Sequence, residues 1–254
     1  MFCPPGARAD TTKGDTPAKM IARWKKKNKI AVLEDTDKHW RLWGELDPYR
    51  GVCYPDGLSS EFWESGERYV KSLLDGIGPV ERSRALDFGC GVGRILRPLS
   101  TQFPHVTGVD VSPAMLTHAR RNVPDAELLD HIPPGPFDLV HSCLVLQHIP
   151  VKRGLEIIQK LQACVASGGV LAVQVPLKVR HSGIYGMKHA LPAMRFLFNA
   201  VQEKPLREPL MQMNAYPVEE IESALGPCKP RWLENPPCEG AIFIWRRNGA
   251  VDRD

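Results

Sequence analysis

Short apolar segments alternate with amphipathic ones from Arg84 to the C-terminus, and this pattern constrains the fold more strongly than any other feature of the sequence. Four of the apolar segments have the length and composition of buried strands: RALDFGC, HVTGVDV, FDLVHSC and VLAVQVP. Helices are predicted between them, one from the N-cap Ser112 to Arg121 and another from Val151 to Val165. Such alternation predicts an α/β fold, with a parallel, doubly wound sheet and helices on both faces.

Further elements are predicted on both sides of this region. Near the C-terminus, PVEEIESAL is a short helix closed by Gly226, and AIFIWRR is the last strand. Upstream, apolar spacing predicts helices over Lys19–Leu33 and Ser60–Asp75, separated by an aromatic, turn-rich stretch. We therefore expect a disordered N-terminus over 1–18, a helical cap over 19–80 and a ligand-binding domain over 81–248. The long insertion in this domain, at about 177–215, is interpreted either as a lid at the ligand-binding edge or as extra helix packed over the sheet.

The composition is that of an ordinary globular protein. Of the 254 residues, 43% are hydrophobic and 24% are charged, and no apolar stretch approaches the length of about 18 residues that spans a bilayer. The first residues do not show a basic region followed by an apolar one, which is the pattern of a secretory signal, so we expect a cytoplasmic protein without a membrane span. The seven cysteines form no CxxC pair, which predicts reduced thiols and no metal site, although a bridge between Cys228 and Cys238 stays open.

Basic residues cluster once, in the segment ARWKKKNK from Ala22 to Lys29. A net charge of +4 does not by itself indicate a nucleic-acid-binding protein. The cluster is interpreted either as a solvated helix face or loose arm, or as an electrostatic contact with an anionic partner.

The loop after the first predicted strand, in LDFGCGVGR, indicates which ligand the sheet binds. Gly89, Gly91 and Gly93 form GxGxG, but Arg94 occupies the position of the last glycine in a dinucleotide fingerprint. Asp87, in the preceding strand, would repel a pyrophosphate and suits a ligand that carries an ammonium group. No Gly-Lys-Ser/Thr follows, which excludes a Walker A loop.

At these residues the sequence resembles the class I S-adenosylmethionine-dependent methyltransferases, particularly their small-molecule, type 11-like branch. LDFGCGVGR is similar to the first motif of that family, and three more segments follow in the family's order: GVDVSPAML, AELLDHIPPGPFDLVHSCLVLQHIP and LQACVASGGVLAVQVP. The resemblance covers Ser83 to Trp245. It implies a Rossmann-like sheet of about seven strands with an antiparallel last strand, and S-adenosylmethionine as the cofactor.

The resemblance also implies a role for each matching residue. Asp87 and the backbone of Gly89, Cys90 and Gly91 would face the methionine part of the cofactor, and Gly93 would allow the turn into the next helix. Asp110, 21 residues after Gly89, would bind the ribose hydroxyls. The remaining cofactor contacts would be Val111, Asp130, His131, Ser142 and Leu144. For Asp130 the alternative is a turn acid before a proline-rich loop.

His148, in CLVLQHIP, is the candidate catalytic residue. It follows the strand that in the family passes beneath the methyl group, and a histidine titrates near neutral pH. A hydroxyl or a protonated amine needs such a base. The alternative is that His148 only caps or packs the loop before the next helix, and His141, within the strand, is expected to pack.

The expected acceptor is a hydroxyl or amine of a small organic molecule, with saccharides and natural products as the specific candidates. No NPPY-like or DPPY-like tetrapeptide follows the fourth motif, which argues against a DNA base amine or a protein glutamine. The aromatic cap and the Met- and Phe-rich insertion are suited to enclose such an acceptor. Weaker candidates for ligand contact, for some of which core packing is the alternative, are Ser65, Gly66, Glu67, Trp40, Trp43, Trp63 and the segment Met211–Tyr216.

Other functions stay open at this stage. An NAD-dependent oxidoreductase shares the fold but is disfavoured by Asp87 and Arg94. An RNA or protein methyltransferase, or a non-catalytic S-adenosylmethionine-binding subunit, would keep the same loop. We do not expect nucleic acid as the partner, and the sequence leaves a homodimer open.

Overall fold

Helices flank a single seven-stranded sheet in this protein. The structure is a computed structural model, and it describes residues 36–52, 60–179, 213–233 and 238–248. These belong to one of the two compact units into which the chain divides, residues 33–183 with 211–254. The strands are β1 (Arg84–Phe88), β2 (His105–Val109), β3 (Glu127–Leu129), β4 (Phe137–Ser142), β5 (Val165–Val179), β6 (Lys229–Leu233) and β7 (Cys238–Arg246). The described helices are α1 (Thr36–Leu46), α2 (Pro48–Gly51), α3 (Ser60–Ile77), α4 (Leu96–Ser100), α5 (Pro113–Asn122), α6 (Val151–Ala163) and α7 (Val218–Leu225), and a 3₁₀ turn covers Leu146–His148.

The sheet has the strand order β3-β2-β1-β4-β5-β7-β6. Strands β1 to β5 are parallel to one another, whereas β7 is antiparallel to both β5 and β6. This confirms the expected Rossmann-like, mostly parallel sheet of seven strands with an antiparallel last strand. The strand order reverses direction between β1 and β4, and ligands of such sheets bind beyond the carboxyl ends of the strands at that point.

Alternate residues of the central strands enter two different hydrophobic clusters, because successive side chains of a strand point to opposite faces. Leu86 belongs to a cluster that includes apolar residues of α6 and α7, such as Ile158 and Leu225. Its neighbour Ala85 belongs to a cluster that includes residues of α3 and α4, such as Leu73 and Leu99. The sheet is therefore covered on both faces, as the sequence predicts.

Local signals predicted some helices closely and others poorly. Ser112 caps α5 by accepting a hydrogen bond from the backbone N–H of Met115. The predicted helix from Val151 is too long at its end, because it stops at Ala163 and Val165 begins β5 as a buried core residue. The turn-rich interpretation of the aromatic stretch, which begins at His39, is wrong over its first residues, because Thr36–Leu46 forms α1.

Several sequence-based expectations fall outside the described residues. These are the N-terminus over 1–18, the helix Lys19–Leu33, the basic segment Ala22–Lys29 and most of the insertion at 177–215. Within the described ranges, no helix has the length and apolar character needed to cross a membrane, and no cluster of three or more metal-binding side chains occurs. Within these ranges four cysteines are free thiols: Cys90, Cys143, Cys164 and Cys228. Cys228 therefore forms no disulfide bridge.

Candidate active site

A cavity of about 290 Å³ opens at the carboxyl ends of β1, β2 and β4. Residues at or just beyond these strand ends form one side of it: Phe88, Gly89, Gly91, Asp110, Val111, Cys143, Leu144 and Val145. Residues of the N-terminal cap and of α6 form much of the rest: Thr36, Asp37, Trp40, Gly51, Val52, Arg153, Ile157 and Lys160. Its volume lies near the lower end of small-molecule sites.

Helix α1 is held over this cavity by polar contacts at two places. The Arg41 side chain donates to the carbonyl oxygen of Val111 over 3.2 Å. Arg153 donates from one guanidinium nitrogen to both carboxylate oxygens of Asp37, over 2.8 and 2.9 Å. Helix α1 thus forms part of the cavity wall, with Trp40 among the lining residues.

The glycine loop presents backbone to the cavity because no side chain fits there. Gly89 has a φ of 76°, and a Cβ atom at this position would overlap the side chain of Val145. The N–H groups of Gly89 and Cys90 bond to the carbonyl of Val109 over 2.7 and 3.0 Å, which fixes the loop against β2. The Cys90 side chain and Gly93 lie outside the cavity lining, the former packed in the core.

Asp110 lies in the cavity wall with both carboxylate oxygens engaged. Oδ2 accepts from the N–H of Gly91 over 2.9 Å, and Oδ1 accepts from the N–H of Ser112 over 2.8 Å. Burial raises the pKa of this carboxyl to about 6, against the opposing effect of the two N–H donors. Each oxygen of an ionised carboxylate has a second lone pair, so Asp110 can still accept hydrogen bonds from a ligand.

Asp87 is buried behind the glycine loop and pairs with a histidine on the neighbouring strand. Its Oδ1 lies 2.9 Å from Nδ1 of His141, and Nε2 of His141 lies 3.0 Å from the Tyr69 hydroxyl. Asp87 Oδ2 is buried and has no hydrogen-bond partner. The residue is not part of the cavity lining. Burial of a carboxylate oxygen without a hydrogen-bond partner costs free energy, and this points to a donor supplied by a ligand.

Arg94, considered at the sequence level only as a replaced glycine, is a buried cation in the cavity wall. It is 7% exposed and donates to the Ser65 hydroxyl over 3.3 Å, while its Nε is buried without a partner. No ion pair joins it to a carboxylate within the described part of the chain. An arginine so placed favours an anionic ligand group, and its position directly after the loop was the only available signal.

His148 lines the cavity from the 3₁₀ turn after β4. The Trp40 ring packs against its imidazole with centroids 4.9 Å apart. The Gln147 side-chain nitrogen, which can only donate, lies 3.0 Å from Nε2 of His148. With the amide in this orientation, Nε2 accepts the hydrogen bond and carries the lone pair of the ring. Leu144, just before this turn, has a φ of 60°, a strained conformation of the kind found at functional sites.

The carbonyl groups of this turn are held by residues from distant parts of the chain. The Tyr216 hydroxyl lies 2.8 Å from the oxygen of Leu146 and 2.9 Å from that of Ile149. The backbone N–H of Asn214 donates to the oxygen of Gln147 over 2.7 Å. Tyr216 is fully buried and lies outside the cavity lining, so it supports the turn from behind, in agreement with the core-packing alternative for this segment.

The remaining candidates fall into two groups. Asp130 and His131 line the cavity and pair with each other over 3.0 Å, and this hydrogen bond lowers the pKa of the Asp130 carboxyl. Outside the lining lie Ser142, whose buried hydroxyl has no partner, and Trp63, which packs on Phe62. Also outside it are Ser65, Gly66, Glu67, Trp43 and the described part of the segment Met211–Tyr216.

A family model described as a methyltransferase domain matches residues 62–219, more than half of the chain. The chain therefore belongs to this family of methyltransferase domains. The match confirms the resemblance to class I methyltransferases and, at the level of the family, S-adenosylmethionine as the expected cofactor.

Curated relatives match over part of their length. Trans-aconitate 2-methyltransferase from Variovorax paradoxus is 38% identical over 127 residues, which cover 47% of this chain and 48% of that protein. The enzyme of the same name from Methylobacterium radiotolerans is 36% identical over 127 residues, with the same coverage. The chain thus spans about half the length of the curated relatives it matches.

Solved structures share the fold at low sequence identity. Magnesium protoporphyrin IX methyltransferase from Synechocystis, solved with S-adenosylmethionine bound, has a TM-score of 0.58 at 16% identity and covers 85% of this chain and 99% of that one. An amino pentose methyltransferase from Micromonospora echinaspora has a TM-score of 0.51 at 19% identity and covers 79% and 94%. At these identities the likeness supports the fold alone.

Proposed function

We propose that this protein transfers a methyl group from S-adenosylmethionine to a small organic acceptor in the cavity at the carboxyl ends of β1, β2 and β4. The observation that carries the proposal is a pair of buried, unpartnered polar atoms next to the glycine loop, Oδ2 of Asp87 and Nε of Arg94. The first atom belongs to an acidic side chain and the second to a basic side chain. An α-amino acid group carries the complementary pair of charges, and S-adenosylmethionine ends in such a group.

The residues around the cavity fit the rest of that cofactor. Asp110 has lone pairs left for the ribose hydroxyls, and Asp130 with His131 supplies polar atoms for the adenine edge. Gly89 and Gly91 leave room for a ligand against the backbone. We assign Asp87 to the ammonium group and Arg94 to the carboxylate of the methionine part.

Catalysis requires the acceptor to be held in line with the methyl group in a site that excludes water. When bound, S-adenosylmethionine supplies an electrophilic methyl group on a sulfonium. His148 is the group that would take the proton of an acceptor hydroxyl, at Nε2, where the ring carries its lone pair. In that complex the hydroxyl replaces the Gln147 amide as the donor to Nε2. Trp40 packs against the imidazole and shields it from solvent.

A hydroxyl or amine is the acceptor group that makes use of His148. A second candidate is the carboxylate of a small organic acid, supported by the name of the curated relatives and by the cations Arg153 and Lys160 in the cavity wall. A carboxylate is already a nucleophile at neutral pH and needs no base. The two candidates therefore differ in their need for His148.

Methyl transfer to two acceptor panels, hydroxylated glycosides and small polycarboxylic acids including trans-aconitate, tests the proposal through release of S-adenosylhomocysteine. We expect turnover with a member of one panel. For a hydroxyl acceptor, His148→Ala should lower kcat by at least about a hundredfold and leave S-adenosylhomocysteine affinity unchanged. His118→Ala, a half-buried histidine outside the cavity, is the matched control. Full turnover by His148→Ala with a glycoside would remove His148 from the mechanism.

A further inference from the structure

We infer that Tyr69 and His141 are positioning residues for cofactor recognition: they hold the Asp87 carboxylate so that its free oxygen meets the ammonium group of the methionine part. This inference rests on the proposed cofactor and extends it. It assigns a role to the buried His141, which the sequence suggests only as core, and to the half-buried Tyr69.

The three side chains form one continuous hydrogen-bonded chain across three elements. Asp87 on β1 and His141 on β4 are direct partners in the parallel register, so their side chains lie on the same face of the sheet. Helix α3 crosses this face and brings the Tyr69 hydroxyl to 3.0 Å from Nε2 of His141. Asp87 is 2% exposed and His141 is completely buried, so water does not compete for the bond between these two side chains.

The direction of the hydrogen bonds follows from the chemistry of the groups. The Asp87 carboxylate can only accept, so Nδ1 of His141 carries a proton and donates to Oδ1 of Asp87 over 2.9 Å. In the neutral imidazole Nε2 then has the lone pair and accepts from the Tyr69 hydroxyl, which stays protonated because burial raises its pKa well above the usual value. This chain engages one oxygen of the carboxylate and fixes its plane, and it leaves Oδ2 as the acceptor for a ligand.

A purely structural role does not account for this arrangement. A buried network that only stabilises the core is expected to satisfy each of its polar atoms, since every unsatisfied one has a desolvation cost. Here the chain stops at Asp87 Oδ2, next to the glycine loop. Arg94, on the other side of that loop, has the opposite charge and is also incompletely paired. The hydrogen-bonded side chains that end at Asp87 are therefore placed to bind the ammonium group of an amino acid, and Arg94 is placed to bind its carboxylate.

Two ligands separate this role from general stability. S-adenosylhomocysteine and 5′-methylthioadenosine share the adenosine and the thioether, but only the former has the amino acid. Calorimetric titration with both ligands gives a ratio of affinities that reports on amino-acid recognition. The variants are Tyr69→Phe, His141→Leu and His141→Asn, whose amide N–H replaces the Nδ1 donor. Tyr49→Phe, a half-buried tyrosine outside the cavity lining, is the matched control.

For Tyr69→Phe we expect S-adenosylhomocysteine affinity to fall about fivefold, with methylthioadenosine affinity held within about twofold. His141→Leu should have a larger selective effect, and His141→Asn should restore part of the loss. Tyr49→Phe should leave the ratio unchanged. Equal losses for both ligands, or an unchanged ratio in Tyr69→Phe, would overturn the inference while binding by the wild type still supports the cofactor assignment. Failure of the wild type to bind either ligand would overturn both.

Discussion

The Tyr216 hydroxyl lies 2.8 Å from the carbonyl oxygen of Leu146, across 70 residues of sequence. This contact, with the second one to Ile149, attaches the segment before α7 to the turn that carries His148. The position of the proposed base thus depends on a residue that does not itself reach the cavity. Gly154 on α6 leaves the space for the phenol, because a Cβ atom there would overlap the Tyr216 hydroxyl.

Tyr216→Phe should lower the free energy of unfolding by about 1–2 kcal/mol, because the buried hydrogen bond from its hydroxyl to the turn is lost. Urea denaturation checks this value. Tyr49→Phe is the control, since its hydroxyl receives only a 3.4 Å contact from the Asn122 amide, and we expect a smaller loss. If the two variants were equally stable, Tyr216 would not hold the turn.

The raised pKa of Asp110, about 6, predicts a pH dependence of cofactor binding. In the proposed complex the ionised carboxylate accepts hydrogen bonds from the ribose hydroxyls, and it becomes protonated as the pH falls through this value. If only the ionised form binds, affinity for S-adenosylhomocysteine should be about tenfold weaker near pH 5 than near pH 8. Calorimetric titration across this range measures the effect. A flat profile in the wild type would show that Asp110 does not bind the ligand through its charge.

Gly89→Ala should abolish binding of S-adenosylhomocysteine because the new Cβ displaces Val145 in the cavity wall. Gly168→Ala is a matched control: Gly168 also has a positive φ, of 75°, but a Cβ there meets nothing within 4 Å. Both variants should lose about 1–2 kcal/mol of stability from backbone strain. Only Gly89→Ala should lose the ligand, and retention of full affinity would contradict the assigned position of the loop.

Arg94→Met should weaken S-adenosylhomocysteine binding by more than about tenfold, because a buried charge contact with the ligand carboxylate is removed at similar side-chain volume. Affinity for 5′-methylthioadenosine, which lacks that carboxylate, should change little. Arg97→Met is the control, since Arg97 is exposed and packs over the Trp63 ring. An equal loss for both ligands would mean that Arg94 acts through the fold.

Sequence patterns predicted the sheet because strand alternation and helix caps are local signals. The Ser112 cap and the closure of α7 at Gly226 are read directly from residue type. The edge strands β3 and β6 escaped prediction because β3 has only three residues and β6 contains Pro230, and each is stabilised by its one neighbour in the sheet.

The residues of the candidate site likewise divide into those with a local sequence signal and those without one. The backbone loop and Asp110 belong to recognisable segments, and both line the cavity. The pairing of His141 with Asp87 and Tyr69, and the contact of Tyr216 with the turn at His148, join residues 54 to 72 positions apart. Such contacts depend on tertiary packing, so they leave no motif in a single sequence.

Calorimetric titration of the wild type and Asp110→Ala with S-adenosylhomocysteine, and with NADH in parallel, addresses the cofactor assignment most directly. We predict micromolar binding of S-adenosylhomocysteine to the wild type, loss of that binding in Asp110→Ala and no binding of NADH. Binding of NADH in place of S-adenosylhomocysteine, or equal affinity of the variant and the wild type, would contradict the proposed function of this cavity.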